Sequence, residues 1–257
     1  VRLVVLGSGT GVPSATRASS GYWVEAGDDV RLRLDCGPGT VHAMARHRVD
    51  WPRVSHQWVS HFHVDHALEI PALLFALKYG RGQAPEPRGP LTFLGPRGLR
   101  RLVDALVVDA FQTSLLEQEF PMEVREVDPG DAVDLGAGVT LRAAKTPHTD
   151  ESLAVRIESA GRAIGYTGDT APSAELANFF RDVDVLVAEC SFPDDPHGTK
   201  HLVAAETANL AAAARAKHLL AVHAYFDPER EHLAQRLRES FPGQITIATD
   251  GTTLEIE

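Results

Sequence analysis

Ser60-His61-Phe62-His63-Val64-Asp65-His66 is the stretch on which the reading of this chain turns. The residues before it, Gln57-Trp58-Val59-Ser60, read as a short buried strand that delivers the chain to His61. Side chains two apart on an extended segment point the same way, so His61 and His63 can face one ion. A turn just after the strand lets Asp65 and His66 reach a neighbouring ion. Imidazole and carboxylate suit zinc and related divalent metals. Four potential ligands within six residues at a strand end are a poor match to a polar loop with chance histidines.

Working outward, the chain reads as strands and helices in two similar runs. Val4-Val5-Leu6 is a buried strand that enters the glycine-rich segment Gly7 to Pro13. Strands follow over Gly21 to Glu25 and Val30 to Leu34, with a turn at Gly27-Asp28, and a helix over Thr40 to His47. After the histidine motif come a helix over Leu68 to Lys78, a Gly- and Pro-rich loop over 80–90, a strand at Leu91 to Leu94 and a helix from Pro96 to Phe111. The second run has strands over Met122 to Val127, Val139 to Lys145, Ser152 to Glu158, Arg162 to Tyr166, Val183 to Ala188 and Leu219 to Val222. Its helices span Ala171 to Phe180, Val203 to Lys217 and Pro228 to Ser240, and two strands close the chain. Two runs of strands, each with helices, predict an α/β fold of two sheets face to face with helices outside. No stretch is rich enough in Pro, Ser or charge to mark a boundary, so residues 1–257 read as a single domain.

Composition narrows the function. The 257 residues carry 44% hydrophobic and 23% charged side chains, as a chain with a sizeable core does. No apolar run approaches the ~20 residues that cross a bilayer, and Val1 to Leu6 reads as a strand, not a signal peptide. Two cysteines, Cys36 and Cys190, argue for a reducing compartment, and the expected location is the cytoplasm. Twenty-five basic against thirty-five acidic residues give a net charge of −10, which disfavours a generic nucleic-acid binder. Bound metal ions would supply local positive charge regardless.

Other candidates sit at predicted strand ends: His148 in Thr146-Pro147-His148-Thr149, Asp169 in Tyr166-Thr167-Gly168-Asp169-Thr170, and His223 in Ala221-Val222-His223-Ala224. Taken in order with His61-x-His63-x-Asp65-His66, they resemble the metallo-β-lactamase superfamily over nearly the whole chain. The resemblance implies a four-layer αβ/βα sandwich with a dinuclear site along one edge. Leu6 to Ser14, Leu34-Asp35-Cys36-Gly37-Pro38-Gly39-Thr40, Glu189-Cys190-Ser191 and Lys200-His201-Leu202 are similar to segments of ribonuclease Z and its short phosphodiesterase relatives. Zinc β-lactamases carry a cysteine where Asp169 stands. Glyoxalase II and the lactonases lack the opening segments and the Glu189 and His201 pair.

Carried over by position, the resemblance gives one metal His61, His63 and His148, the other Asp65, His66 and His223, with Asp169 bridging. Two divalent ions, zinc first and manganese as the alternative, would share a hydroxide that attacks a phosphodiester. Asp65, His201 and Glu189 are the expected catalytic residues: His201 protonates the leaving alkoxide, and Glu189 orients its imidazole. His197 is a second candidate donor. His42, His47, His56, His218 and His232 fall in no motif, and Arg97, Arg100 and Arg101 read as a solvated face. Two departures from the family bear on substrate. Bacterial ribonuclease Z inserts a tRNA-gripping arm between the third metal histidine and the bridging aspartate, yet here His148 and Asp169 are 21 positions apart. An arginine–asparagine pair near the family's first proline is Arg17-Ala18 here. The expected substrate is a phosphodiester, a small molecule or an RNA 3′ end; the alternatives are a lactone or thioester on the same metals and tRNA 3′-end processing, with a non-catalytic metal-bound module as the rival of another class. A homodimer is left open.

Overall fold

Fourteen strands pair into two seven-stranded sheets in the computed structural model, among its described residues 1–80, 89–111, 117–118, 120–194, 198–229 and 231–257. The loop read over 80–90 falls outside these from 81 to 88, and so does His197. The first half forms β1 (Arg2–Gly7), β2 (Gly21–Ala26), β3 (Val30–Leu34), β4 (His56–Trp58), β5 (Leu91–Gly95) and β6 (Met122–Glu126). Its helices are α1 (Thr40–Arg46), α2 (Val64–Ala67), α3 (Ile70–Tyr79) and α4 (Leu99–Asp104), the last continuing into a π-helical turn at Ala105–Asp109. The second half forms β7 (Ala132–Gly136), β8 (Val139–Lys145), β9 (Leu153–Ser159), β10 (Arg162–Tyr166), β11 (Val185–Glu189), β12 (His218–Val222) and β13 (Gln244–Ile247). Its helices are α5 (Ala174–Phe179), α6 (Ala204–Ala213) and α7 (Leu233–Arg238). The closing strand β14 (Thr253–Glu255) returns to the first sheet beside β1, whereas β13 extends the second.

Side-chain alternation explains the layers. On β1, Leu3 and Val5 face the other sheet, while Val4 and Leu6 face α1 and α3. On β12, Leu220 and Val222 point between the sheets, while Leu219 and Ala221 pack under α6 and α7. Strands covered on both faces need apolar residues at every position, and β11 is buried throughout. Alanines at 204, 208 and 211 leave little side chain between α6 and the sheet, so the helix lies close to it. The result is the expected four layers, helices outside two sheets.

Strand direction then creates the functional edge. β3, β4, β5 and β6 run parallel, and so do β10, β11, β12 and β13. Two antiparallel pairings, β8 with β9 and β9 with β10, return β8 to the direction of β10. The carboxyl ends of β3, β4, β8, β10, β11 and β12 therefore open toward one edge. Several boundaries differ from the sequence reading for local reasons. β4 stops at Trp58 because the Ser60 N–H turns to Asp35 Oδ1 at 2.7 Å. The alanine-rich helix ends at Ala213, since Arg215 takes φ 51° and Lys217 N–H bonds Val183. β7 was not expected from its surroundings of Asp, Gly and Pro, yet Val133 and Leu135 alternate inward. No helix among the described residues is long and apolar enough to cross a membrane.

His56 and His218 begin β4 and β12, at the opposite end from this edge. Burial pushes the His56 imidazole down to about 4 and lowers that of His218. An unfolded histidine takes a proton near pH ~6.5, so between that pH and about 4 the unfolded chain binds more protons. Their contribution is thus complete above pH ~6.5 and is lost as pH falls through this window. Denaturant midpoints at pH 7.5 and 5.0 should differ less in His56→Gln than in the parent; an unchanged difference would mean His56 is proton-accessible when folded.

Candidate metal centre

The seven residues read as ligands all reach the carboxyl edge. His61 and His63 follow β4, Asp65 and His66 ride on the short helix α2, His148 follows β8, Asp169 follows β10 and His223 follows β12. Gly37 lets α2 sit where it does: a Cβ there would lie 2.0 Å from the Asp65 carbonyl oxygen. The Cys36 N–H bonds the His66 carbonyl at 2.7 Å and fixes the same turn. The seven side chains fall into two groups, His61, His63, His148 and Asp169 in one and Asp65, His66 and His223 in the other, each with ligand atoms within 4.8 Å of one another. Asp169 joins them. Its Oδ2 is 3.4 Å from His66 Nε2, 3.7 Å from His61 Nε2 and 3.8 Å from His148 Nε2, and its Oδ1 is 3.7 Å from His223 Nε2.

Four imidazoles are aimed by what their outer nitrogens hold. Nδ1 of His61 meets Ser60 Oγ at 3.0 Å, that of His66 meets Asp35 Oδ2 at 2.7 Å, that of His148 meets the Lys200 carbonyl at 3.0 Å and that of His223 meets Ser191 Oγ at 3.0 Å. A carbonyl or carboxylate on Nδ1 puts the hydrogen there and leaves the Nε2 lone pair facing inward. Asp35 is the largest omission of the sequence reading. It is fully buried at φ 56° and also accepts hydrogen bonds from Ser60 Oγ at 2.8 Å and from Tyr166 Oη. Its signals were a place directly after an apolar strand and within the Leu34 to Thr40 segment, and neither points to His66 as its partner. Ser191 and Lys200 stood in the segments Glu189-Cys190-Ser191 and Lys200-His201-Leu202, which gave them no role toward a histidine.

The donor set fits a cation. His61 Nε2 and His66 Nε2 are buried without a hydrogen-bond partner, an expensive arrangement for polar atoms unless something binds them. His63 Nδ1 and His148 Nε2 lie 3.2 Å apart, close to the edge of a tetrahedron with ligand bonds of ~2.0–2.1 Å. Burial favours the neutral form of Asp169, but His223, His66 and His61 outweigh it and hold the carboxyl well below its usual range. Burial likewise opposes a charged His66, yet Asp169 and Asp35 raise its pKa well above that of an ordinary histidine. The buried carboxylates demand positive charge at this point.

Glu189 and His201 meet beside Asp169. His201 Nδ1 lies 3.1 Å from Glu189 Oε2 and 3.9 Å from Asp169 Oδ2. Glu189, at the end of β11, is buried and also accepts the N–H groups of Thr170 and Leu202 and the Ser191 hydroxyl. Burial raises its pKa. Burial works against protonation of His201, but the Glu189 hydrogen bond and charge carry its pKa above the ordinary value. Asp169, His201 and His223 also form a third group within 4.8 Å, so geometry alone permits His201 as a ligand. Arg97, by contrast, pairs with Asp128 through two hydrogen bonds of 2.6 Å on the exposed surface.

Two facing sheets with helices outside and a His/Asp cluster on the carboxyl edge define the metallo-β-lactamase fold. The chain belongs to the β-lactamase superfamily: the model of the beta-lactamase superfamily domain matches residues 31–224. Within it the chain is a metal-dependent hydrolase, and its relatives include enzymes named ribonuclease Z. It is 28% identical over 277 residues to ribonuclease Z of Methanosarcina mazei, across 87% of each chain. An uncharacterized protein of Mycobacterium leprae (strain TN) is 30% identical over 261 residues, covering 100% of this chain and 89% of the relative. Among solved structures, the metallo-β-lactamase fold protein YhfI of Bacillus subtilis superposes with a TM-score of 0.80 at 26% identity, covering 98% of both chains. The short form of human tRNase Z superposes at 0.79 with 21% identity over 100% of both, a likeness of fold.

Asp35→Asn keeps the shape of the group that aims His66 but removes its charge. Loss of such an outer partner costs about 10–100-fold in metal affinity. Chelator competition should show that drop with the circular dichroism spectrum unchanged; parent-like affinity would mean that His66 is held by packing alone.

Proposed function

We propose that this chain is a phosphodiesterase with two divalent ions, one of which His61, His63 and His148 would hold and the other Asp65, His66 and His223, with Asp169 facing both groups. The single observation that carries the reaction class is the Glu189–His201 hydrogen bond placed 3.9 Å from Asp169. Zinc suits the nitrogen-rich donor set, with manganese the alternative. Bound there, the ions supply the positive charge that acidifies water and offsets the charge of a phosphodiester.

The protein's own residues do the rest. Asp65 and Asp169 present buried oxygens toward both groups, and the outer hydrogen bonds keep the imidazoles from turning. Glu189 fixes His201 by its Nδ1, so Nε2 is the nitrogen left to carry a proton to the reacting centre. As the water oxygen joins phosphorus, the bond from phosphorus to the leaving oxygen breaks, and that oxygen takes the His201 proton. An alkoxide gains more from such a donor than a thiolate does, which supports a phosphodiester over a thioester, and the ribonuclease Z relatives support it over a lactone. Ribonuclease Z relatives support an RNA 3′ end as one substrate. However, β9 and β10 occupy the connection from His148 to Asp169 as a hairpin, where an arm would be inserted. The free, buried Cys36 and Cys190 support a reducing, cytoplasmic setting.

Elemental analysis of protein prepared without chelator should give two transition-metal ions per chain, because seven ligands exceed one tetrahedral site. A ratio near one that added metal does not raise would refute the second half-site. His201→Ala should retain both ions and lose about 10²–10⁴ in rate on an alkyl diester, with a much smaller loss on a nitrophenyl ester. Equal losses on both substrates, or departure of an ion, would make His201 a ligand or a structural residue. Glu189→Gln should act in the same direction more weakly.

A further inference from the structure

An aromatic pair beside His201 takes no part in the chemistry above. Phe192 and Tyr225 stack with ring centroids 5.3 Å apart and planes 9° from parallel. The His201 ring stands edge-on to both, its centroid 6.2 Å from that of Phe192 and 6.0 Å from that of Tyr225. Backbone contacts hold the pair in place. The Tyr225 N–H donates to the Ser191 carbonyl at 3.1 Å, and the Phe192 carbonyl accepts from the Ala204 N–H at 3.1 Å. These are the same segments that carry Glu189, His201 and His223, so the platform and the candidate acid are positioned together.

Tyr225 remains 39% exposed although Phe192 lies against it. A tyrosine ring already stacked on one side and fixed by its backbone offers apolar area at little entropic cost. Charge adds a second argument. A net charge of −10 disfavours drawing in a polyanion by a broad basic surface, which gives weight to the metal centre and to uncharged contacts as sources of affinity for a phosphate ester. Base–aromatic stacking is such a contact, and it tolerates any base because each has a π-face.

We propose that Tyr225, backed by Phe192, is the stacking surface for a planar ring of the substrate. The diesters cleaved here are then those with a nucleobase or aryl group adjoining the phosphate on the His201 side. This inference rests on the phosphodiesterase reading and names its substrate class.

Calorimetric titration of the metal-loaded protein with adenosine 5′-monophosphate and with ribose 5-phosphate tests it by binding, without turnover. The parent should bind the nucleotide more tightly than the sugar phosphate. Tyr225→Leu should weaken the nucleotide by roughly 5- to 150-fold, the worth of one base stack, and leave ribose 5-phosphate unchanged. Tyr225→Phe should restore the parent ratio. Equal weakening of both ligands would make Tyr225 a support for His223, and failure of Tyr225→Phe to rescue would assign the effect to the hydroxyl; either result overturns the proposal, as does a parent with no preference. Hydrolysis of bis(p-nitrophenyl) phosphate by the same parent preparation separates the two readings. No turnover with the nucleotide preference intact sinks the phosphodiesterase and not the platform, while turnover without that preference does the reverse.

Discussion

A carboxylate buried among imidazoles is the constraint on which this architecture hangs. Asp169 is 3% exposed and has histidine nitrogens within 3.8 Å on four sides. Removing a charge from water costs several kcal/mol unless opposite charge or hydrogen bonds replace the water. The chain answers by directing strand ends from both sheets at one point. Parallel strands make that possible, because β10, β11 and β12 all finish on the same edge with their apolar bodies buried on both faces. The sandwich and the site are two consequences of one arrangement.

Precision at that edge is bought with backbone strain and outer hydrogen bonds. Asp35 and His223 are non-glycine residues at φ 56° and 60°, a region that disfavours side chains by roughly 1–3 kcal/mol each. Both are pinned. Asp35 N–H bonds Trp58 at 2.9 Å, and His223 N–H bonds Ser8 at 2.9 Å, which ties the glycine-rich opening to the end of β12. Asp250 in turn holds that opening, accepting from the N–H and hydroxyl of Ser8 at 2.9 Å and from the Ala18 N–H at 2.7 Å. Residues more than two hundred positions apart thus fix one imidazole.

Glu189 serves stability and, in the proposed reaction, chemistry as well. Its carboxylate gathers two backbone N–H groups and two side chains, so it closes the loop after β10 onto the start of α6 while holding His201. A buried carboxylate satisfied by several donors is rigid, and rigidity is what a proton donor needs to stay in line with a leaving group. The stacked Phe192 and Tyr225 extend the same segments outward beside His201.

Much of this was legible without coordinates. The spacing from His61 to His66 works locally, since a strand end and one turn suffice to bring those side chains near each other. Apolar runs ending in His148, Asp169, Glu189 and His223 marked strand termini, and two runs of strands, each with helices, predicted two sheets under helices. The structure gathers those residues at one edge as expected. Asp35, Ser191 and the Lys200 carbonyl were illegible as partners because each acts on a histidine through a contact that no local pattern encodes, Asp35 with His66 from 31 positions away. β7 was hidden because its two inward residues sit in a stretch with strong turn signals. Residue type and short-range periodicity follow from the chain itself, and so the sequence by itself determined which chemistry was available and how the layers alternate. Which nitrogen of each imidazole faces inward, and which aromatic ring stands beside His201, only tertiary structure decided, because those depend on long-range packing between elements that meet at one edge of the fold.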